Sequence, residues 1–166
     1  MSSPRYCVVI PTFQSAETIE DLVRRVRRHG FEVIVIDDGS RDGTASLASQ
    51  EGALVISHLR NEGKGRALRT AFEYALRSRY DGIVTMDSDG QHDPDEIPQL
   101  VRAGELQHAG IAVGNRLTNG SLMPLARHWT NTLMSSIVSA VAHQRIPDSQ
   151  CGFRFIRAEV LADGAG

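Results

Sequence analysis

Asp87-Ser88-Asp89 ends an apolar run, Gly82-Ile83-Val84-Thr85-Met86, and is followed at once by Gly90, a residue that permits an abrupt turn. Strand side chains alternate faces, so at a strand tip positions i and i+2 project the same way, and Asp87 and Asp89 converge on one hard divalent cation and one ligand hydroxyl. Mg²⁺ or Mn²⁺ is the natural occupant, and Gln91 adds a neutral oxygen two positions further on. The competing reading is that acids after a strand form turns and cap helices. That reading suits Asp93-Pro94-Asp95-Glu96: a cap, a proline in the first helical turn, and acids favourable to the helix dipole. Asp93, Asp95 and Glu96 are therefore assigned to helix initiation.

Asp37-Asp38-Gly39-Ser40 closes another apolar run in the same manner. Adjacent residues there point to opposite sides, so at most one carboxylate faces a ligand, and Asp38 is the favoured one. A buried carboxylate accepts from a base N–H and so fixes a uracil or guanine ring, while Gly39, Ser40 and Gly43 let backbone approach closely; a plain Asx turn is the alternative. Asn61-Glu62-Gly63-Lys64-Gly65 sets Gly63 and Gly65 around Lys64, as expected where main chain and a cation meet a diphosphate. It is not a Walker loop, and the plainer reading is an exposed loop with a helix start. Arg116, after Gly114-Asn115 at the end of a further apolar run, suits bidentate phosphate contact.

These side chains need a scaffold. Runs of strand length recur at Tyr6 to Ile10, Phe31 to Ile36, Ala53 to Ile56, Gly82 to Met86 and Ile111 to Val113, each followed by a stretch that reads as helix or turn. Ile19, Leu22, Val23 and Val26 form one apolar helical stripe, with Arg24, Arg25, Arg27 and Arg28 on the other side. The arginines read as a solvated face, with anionic lipid headgroups as the alternative partner. Leu68, Ala71, Phe72, Ala75 and Leu76 repeat the stripe in the third helical stretch. Val- and Ile-rich strands with little alternation suit a parallel sheet buried on both faces, so the fold class is α/β with a doubly wound sheet. In such sheets ligands collect outside the carboxyl ends of the strands, where the residues singled out above fall.

The 166 residues suit a single domain, 1–166, and a chain of this size buries roughly 70% of its unfolded surface. A net charge of -2 offers no broad attraction to nucleic acid. Cys7 and Cys151 lack metal-ligand spacing and no secretory signal precedes the first strand-like run, so a cytoplasmic, reduced protein is expected. The longest apolar stretch, Leu133 to Ala142, is about half of the ~20 residues a membrane-spanning helix requires. Leu122, Leu125, Trp129, Leu133, Ile137 and Val141 form a stripe that reads as core or a face for further elements or a second subunit, with a lipid surface as the alternative.

Taken in order, Val8-Val9-Ile10-Pro11-Thr12-Phe13, Val35-Ile36-Asp37-Asp38-Gly39-Ser40, Asn61-Glu62-Gly63-Lys64-Gly65, Met86-Asp87-Ser88-Asp89-Gly90-Gln91-His92 and Asp148-Ser149-Gln150-Cys151-Gly152-Phe153-Arg154 resemble the family 2 glycosyltransferases. Within that family they look most like the dolichyl- or polyprenyl-phosphate mannose and glucose synthases. The resemblance implies a GT-A fold, a Rossmann-like, mostly parallel sheet flanked by helices. It implies Pro11, Thr12, Phe13 and Asp38 around the nucleobase and ribose, Asp87 and Ser88 beside the ribose and diphosphate, and Asp89 and Gln91 on the metal. It also implies Gly63 and Lys64 at the donor phosphates, Arg116 on donor or acceptor phosphate, and Asp148 to Phe153 along the acceptor side of the sugar. Where the lipid-phosphate synthases carry Asn-Glu after the first aromatic, this chain has Gln14-Ser15. Such domains normally continue into further strands and acceptor-binding helices, so a site completed beyond Gly166, by a second copy or by a partner chain is expected.

The reaction so implied is inverting transfer of a hexose from a UDP- or GDP-sugar, with Mg²⁺ or Mn²⁺, to a polyprenyl phosphate at the cytoplasmic membrane face. A lipid phosphate is already ionised near neutral pH and needs no general base; a sugar hydroxyl acceptor would, with Asp148 as the candidate. The other classes weighed are a non-catalytic or partner-dependent nucleotide-sugar-binding module and a nucleotidyltransferase, the latter disfavoured by the lack of a Gly-rich, basic loop near the N-terminus.

Overall fold

The computed structural model of the chain describes residues 3–114 and 152–163. Among these residues six strands form one sheet: β1 (Tyr6–Thr12), β2 (Glu32–Asp37), β3 (Leu54–Ser57), β4 (Gly82–Thr85), β5 (Ile111–Val113) and β6 (Arg154–Arg157). Their order is β3-β2-β1-β4-β6-β5. The first four run parallel, and β6 is antiparallel to both β4 and β5. The five strand-like runs are therefore strands, and the sixth is an addition. Its four residues carry arginine at both ends, with no alternation or turn signal to mark them.

Both faces of the sheet are covered, which is why the strands are apolar throughout. Val8, Ile10, Val33, Val35, Val84 and Met86 meet α1 (Ala16–Arg28), α2 (Thr44–Gln50) and α4 (Ile97–Leu106) on one face. Cys7, Val9, Ile34, Ile36 and Ile83 meet α3 (Lys64–Arg77) and α5 (Ala158–Asp163) on the other. The stripe Ile19, Leu22, Val23 and Val26 is buried as its spacing predicts. In α3 the residues pressed hardest to the sheet are Ala67, Leu68, Ala71 and Ala75, while Phe72 and Leu76 pack at the margin. Small side chains at i, i+4 and i+8 let that helix sit close.

The arginine side of α1 does more than face solvent. Arg24 pairs with Glu20 at 2.5 Å and Glu51 at 3.1 Å, Arg27 donates to the carbonyl of Gly52, and Arg25 pairs with Asp93 and, at 3.0 Å, with Asp95. These contacts dock α1 onto the end of α2 and onto the 3-10 turn Pro94–Glu96. Asp93 caps that turn by accepting from the Asp95 N–H, as its position predicts; Asp95 turns outward to Arg25 and to His29 at 2.8 Å.

Candidate active site

The carboxyl ends of the parallel strands carry four loops that are tied to one another. After β1 the chain turns at Gln14, held in the left-handed region at φ 54, and its N–H donates to Ser40 Oγ in the loop after β2. Ser15 N–H donates to Thr44 Oγ1 and Ala16 N–H to Asp42 Oδ2, so the start of α1 rests on the β2–α2 loop. Ser15 Oγ also shares a 2.9 Å hydrogen bond with Ser88 Oγ, and Thr18 Oγ1 donates to the Ser88 carbonyl at 2.6 Å. Ser88 is thereby pinned to α1.

Asp38 is 4% exposed. Its Oδ1 accepts from His58 Nδ1 at 2.7 Å and from the Glu62 N–H at 3.0 Å; its Oδ2 accepts from the Gly63 N–H at 2.7 Å. Burial pushes this carboxyl up, but the Glu62 amide, the His58 ring and the Gly63 amide outweigh it and hold the group below the usual carboxylate range. Asp37 is the plain turn former of the pair, its Oδ1 accepting from the Ser40 N–H. Gly39, at φ +81, is where the loop after β3 comes closest: a Cβ there would lie 2.6 Å from the Arg60 carbonyl carbon. The backbone that needs this glycine is the chain's own.

Lys64, the first residue of α3, reaches from that loop to Asp87, with Nζ 2.5 Å from Oδ1. This contact joins the loop after β3 to the segment after β4, across the intervening β2 and β1. Beneath Asp87 lies Gly152, just before β6, where a Cβ would come 2.5 Å from the Asp87 Cγ. The Gly152 carbonyl accepts from Thr85 Oγ1 at 2.9 Å. Strand β4 ends at Thr85, so Asp87 and Asp89 sit in a turn and not on a pleated tip. Their orientation comes from that turn: Asp89 Oδ1 accepts from the Gln91 N–H at 3.1 Å, and Gly90 takes φ 72. Asp87 and Ser88 are half-buried, Asp89 and Gln91 exposed. His92, which spacing alone did not single out, is buried and stacks on Phe153 at 5.3 Å between centroids, fixing the turn against β6.

Pro11 and Thr12 are buried at the end of β1, whereas Phe13 is 45% exposed on the rim. Thr12 Oγ1 is buried without a hydrogen-bond partner among the described residues, so it is a polar atom at the rim with capacity to spare. Among the described residues no three His, Cys, Asp or Glu side chains gather as a metal cluster. The set suggested by spacing has two carboxylates and an amide. Burial pushes the Cys7 thiol up to about 12, which leaves it inert as a nucleophile. A groove of about 620 Å³ between α4 and Phe31 lies at the opposite end of the sheet, away from these residues. Arg116, Asp148, Cys151 and the stripe Leu122 to Val141 lie outside the described residues.

Several residues that hold the rim together escaped the sequence reading: Ser15, Thr18, Asp42, Thr44 and His58. Asp42 and Thr44 had a local signal, the Asp-Gly-Thr turn before α2; His58 had none beyond its place at the end of a strand.

A doubly wound sheet of this order, with its acidic loops on the carboxyl rim, defines a GT-A-type α/β domain. Glucosyl-3-phosphoglycerate synthase from Mycobacterium tuberculosis shares the fold with a TM-score of 0.65 and 23% identity, over 95% of this chain and 58% of that one. Residues 7–164 match the model for glycosyl transferase family 2, and the chain belongs to that family. It is 32% identical over 171 residues to polyprenol monophosphomannose synthase of Mycolicibacterium smegmatis, covering 95% of this chain and 63% of the relative. It is 31% identical over 170 residues to undecaprenyl-phosphate mannosyltransferase of Micrococcus luteus, covering 95% and 68%. Among such curated relatives the chain spans between 47% and 72% of their lengths. Among the described residues no helix is long and apolar enough to cross a membrane.

Proposed function

We propose that this chain is the donor-binding catalytic domain of an inverting hexosyltransferase that moves a hexose from a UDP- or GDP-sugar to a polyprenyl phosphate. The observation that carries the reading is the bridge from Asp38 through Gly63 and Lys64 to Asp87, which turns separate strand ends into one polar rim. The two mannosyl-transferring relatives support the acceptor class by their names.

Asp38 Oδ2 accepts one hydrogen bond from protein and retains a lone pair for the imino N–H of a base. The exposed Phe13 ring at the end of β1 takes the base, with Thr12 buried behind it. Lys64 stands at the N-terminus of α3, where ammonium and helix dipole together favour a diphosphate. Asp87, Asp89 and Gln91 offer only oxygen donors from one short turn, with Gly152 leaving room for the Asp87 carboxylate, and this set fits a hard divalent ion. Mg²⁺ or Mn²⁺ held there would supply neutralisation of charge on the departing diphosphate.

In the reaction an acceptor phosphate oxygen attacks the anomeric carbon from the face opposite the leaving group. The new C–O bond forms as the bond to the diphosphate breaks, the electron pair leaves with the nucleoside diphosphate, and the configuration inverts. The acceptor's second ionisation lies near pH ~6, so no side chain must remove a proton. Lys64 stabilises the charge that grows on the leaving oxygen.

The test is incubation with Mn²⁺ and labelled UDP- and GDP-hexoses, with and without polyprenyl phosphate. Label in the lipid fraction supports the proposal. Nucleotide binding without transfer makes the chain a binding module, transfer to a sugar hydroxyl reassigns the acceptor, and pyrophosphate release from a nucleoside triphosphate and a sugar phosphate makes it a nucleotidyltransferase.

A further inference from the structure

His58 is the first residue after β3, and its ring is engaged at both nitrogens. Nδ1 lies 2.7 Å from Asp38 Oδ1 and Nε2 3.0 Å from Thr70 Oγ1, in the second turn of α3. The side chain is 11% exposed, and its own backbone N–H donates to the Asp37 carbonyl at 2.8 Å. In the neutral ring Nδ1–H donates to the carboxylate and Nε2 accepts from the threonine hydroxyl, so every hydrogen-bonding group of the imidazole has a partner.

The consequence is carried by Asp38. Its carboxylate must present Oδ1 to the Glu62 amide and Oδ2 to the Gly63 amide at the same time, which fixes the rotation of the group about Cβ–Cγ. That torsion is soft for aspartate, and the ring of His58, itself anchored to α3, selects one setting of it. The Gly63 carbonyl then accepts from Arg66 and Ala67 and starts α3, whose first residue is Lys64. From the imidazole to the lysine that meets Asp87 the path runs through Asp38 and two backbone amides, all at 2.7 to 3.0 Å.

We infer that His58 is a positioning residue of the donor pocket: through Asp38 it sets the Glu62 and Gly63 amides, and with them the place of Lys64 relative to Asp87, without touching the donor. The inference rests on the donor-site reading given above. A core histidine of purely structural worth would lower stability without singling out this loop; a positioning residue acts on it specifically.

Three substitutions separate the two ends of the ring. Asn places an amide N–H close to the position of Nδ1 and keeps the bond to Asp38; Gln reaches toward Thr70 but not Asp38; Leu keeps neither. In the ligand-free chain, amide hydrogen exchange at Glu62 and Gly63 is expected to rise about tenfold or more in His58→Leu and His58→Gln, and to return near wild type in His58→Asn. UDP or GDP affinity in the presence of Mn²⁺ is expected to follow the same order, with a loss of about tenfold in His58→Leu. Should His58→Leu not fold, Thr70→Val loosens the ring from its far side and is expected to give about a threefold loss on the same readouts. Unchanged exchange at the two amides, or equal loss in the Asn and Leu variants in step with melting temperature, overturns the inference. A wild-type chain that takes up neither nucleotide sinks the donor-site reading instead, while the exchange data still decide whether His58 holds the loop.

Discussion

Lys64 and Asp87 meet 2.5 Å apart across the rim, yet the lysine is 45% exposed and the aspartate 19%. With its ammonium end open to water the pair contributes only on the order of 1 kcal/mol, so it costs little to exchange. The lysine is thus free to leave the carboxylate for a phosphate, and the carboxylate to take another cation in its place.

Replacing Lys64 by Met removes that exchangeable cation. Transfer is expected to fall about 10²- to 10³-fold while stability changes by no more than about 1 kcal/mol. Steady-state rates beside thermal melts check this; wild-type turnover in Lys64→Met would mean that the lysine does not serve the leaving group.

Gly152→Ala puts a methyl group into the space of the Asp87 carboxylate, 2.5 Å from its Cγ. The side chain must swing away, and Mn²⁺ binding in the presence of UDP or GDP, followed by electron paramagnetic resonance, is expected to weaken about tenfold or more. Overpacking adds roughly 1–3 kcal/mol of instability. A variant that binds Mn²⁺ like wild type removes Asp87 from the metal set.

Asp38 titrates below the ordinary carboxylate value because its three hydrogen bonds outweigh burial. A depressed folded value stabilises the protein above the unfolded carboxylate's pKa of about 3.9, and that contribution drains away as pH falls through the lower, folded value. Urea midpoints measured from about pH 6 downward should drop in this acid window, and Asp38→Asn should show a lower midpoint at neutral pH but a shallower fall below about pH 4. An identical acid profile in the variant would show that other carboxylates dominate, with Asp42, Asp95 and Glu32, all held low by hydrogen bonds, next in line.

Gly104 on α4 faces the Phe155 ring, and a Cβ there would lie 2.7 Å from Cε1. Gly104→Ala is expected to destabilise the sheet by about 1–3 kcal/mol, read from urea unfolding, without changing nucleotide affinity of the folded chain. Loss of affinity at full stability would mean that α4 and β6 steer the rim more directly than their packing implies.

The sequence by itself determined the elements. Five apolar runs foretell five strands, the stripe from Ile19 to Val26 foretells the buried face of α1, and acids placed after β2 and β4 mark the end of the sheet that matters. Each of these is local, because periodicity and turn chemistry are legible within a dozen residues. Strand β6 was not legible: Arg154-Phe155-Ile156-Arg157 has no pattern of its own and becomes a strand only because β4 and β5 each offer it an edge. Nor could spacing tell that Asp87 had left its strand, that Lys64 would cross to it, that Gly152 would lie beneath it or that His58 would stand behind Asp38. Those partners are distant in the chain, and strand order, set by burying both faces of the sheet at once, decides which of them meet.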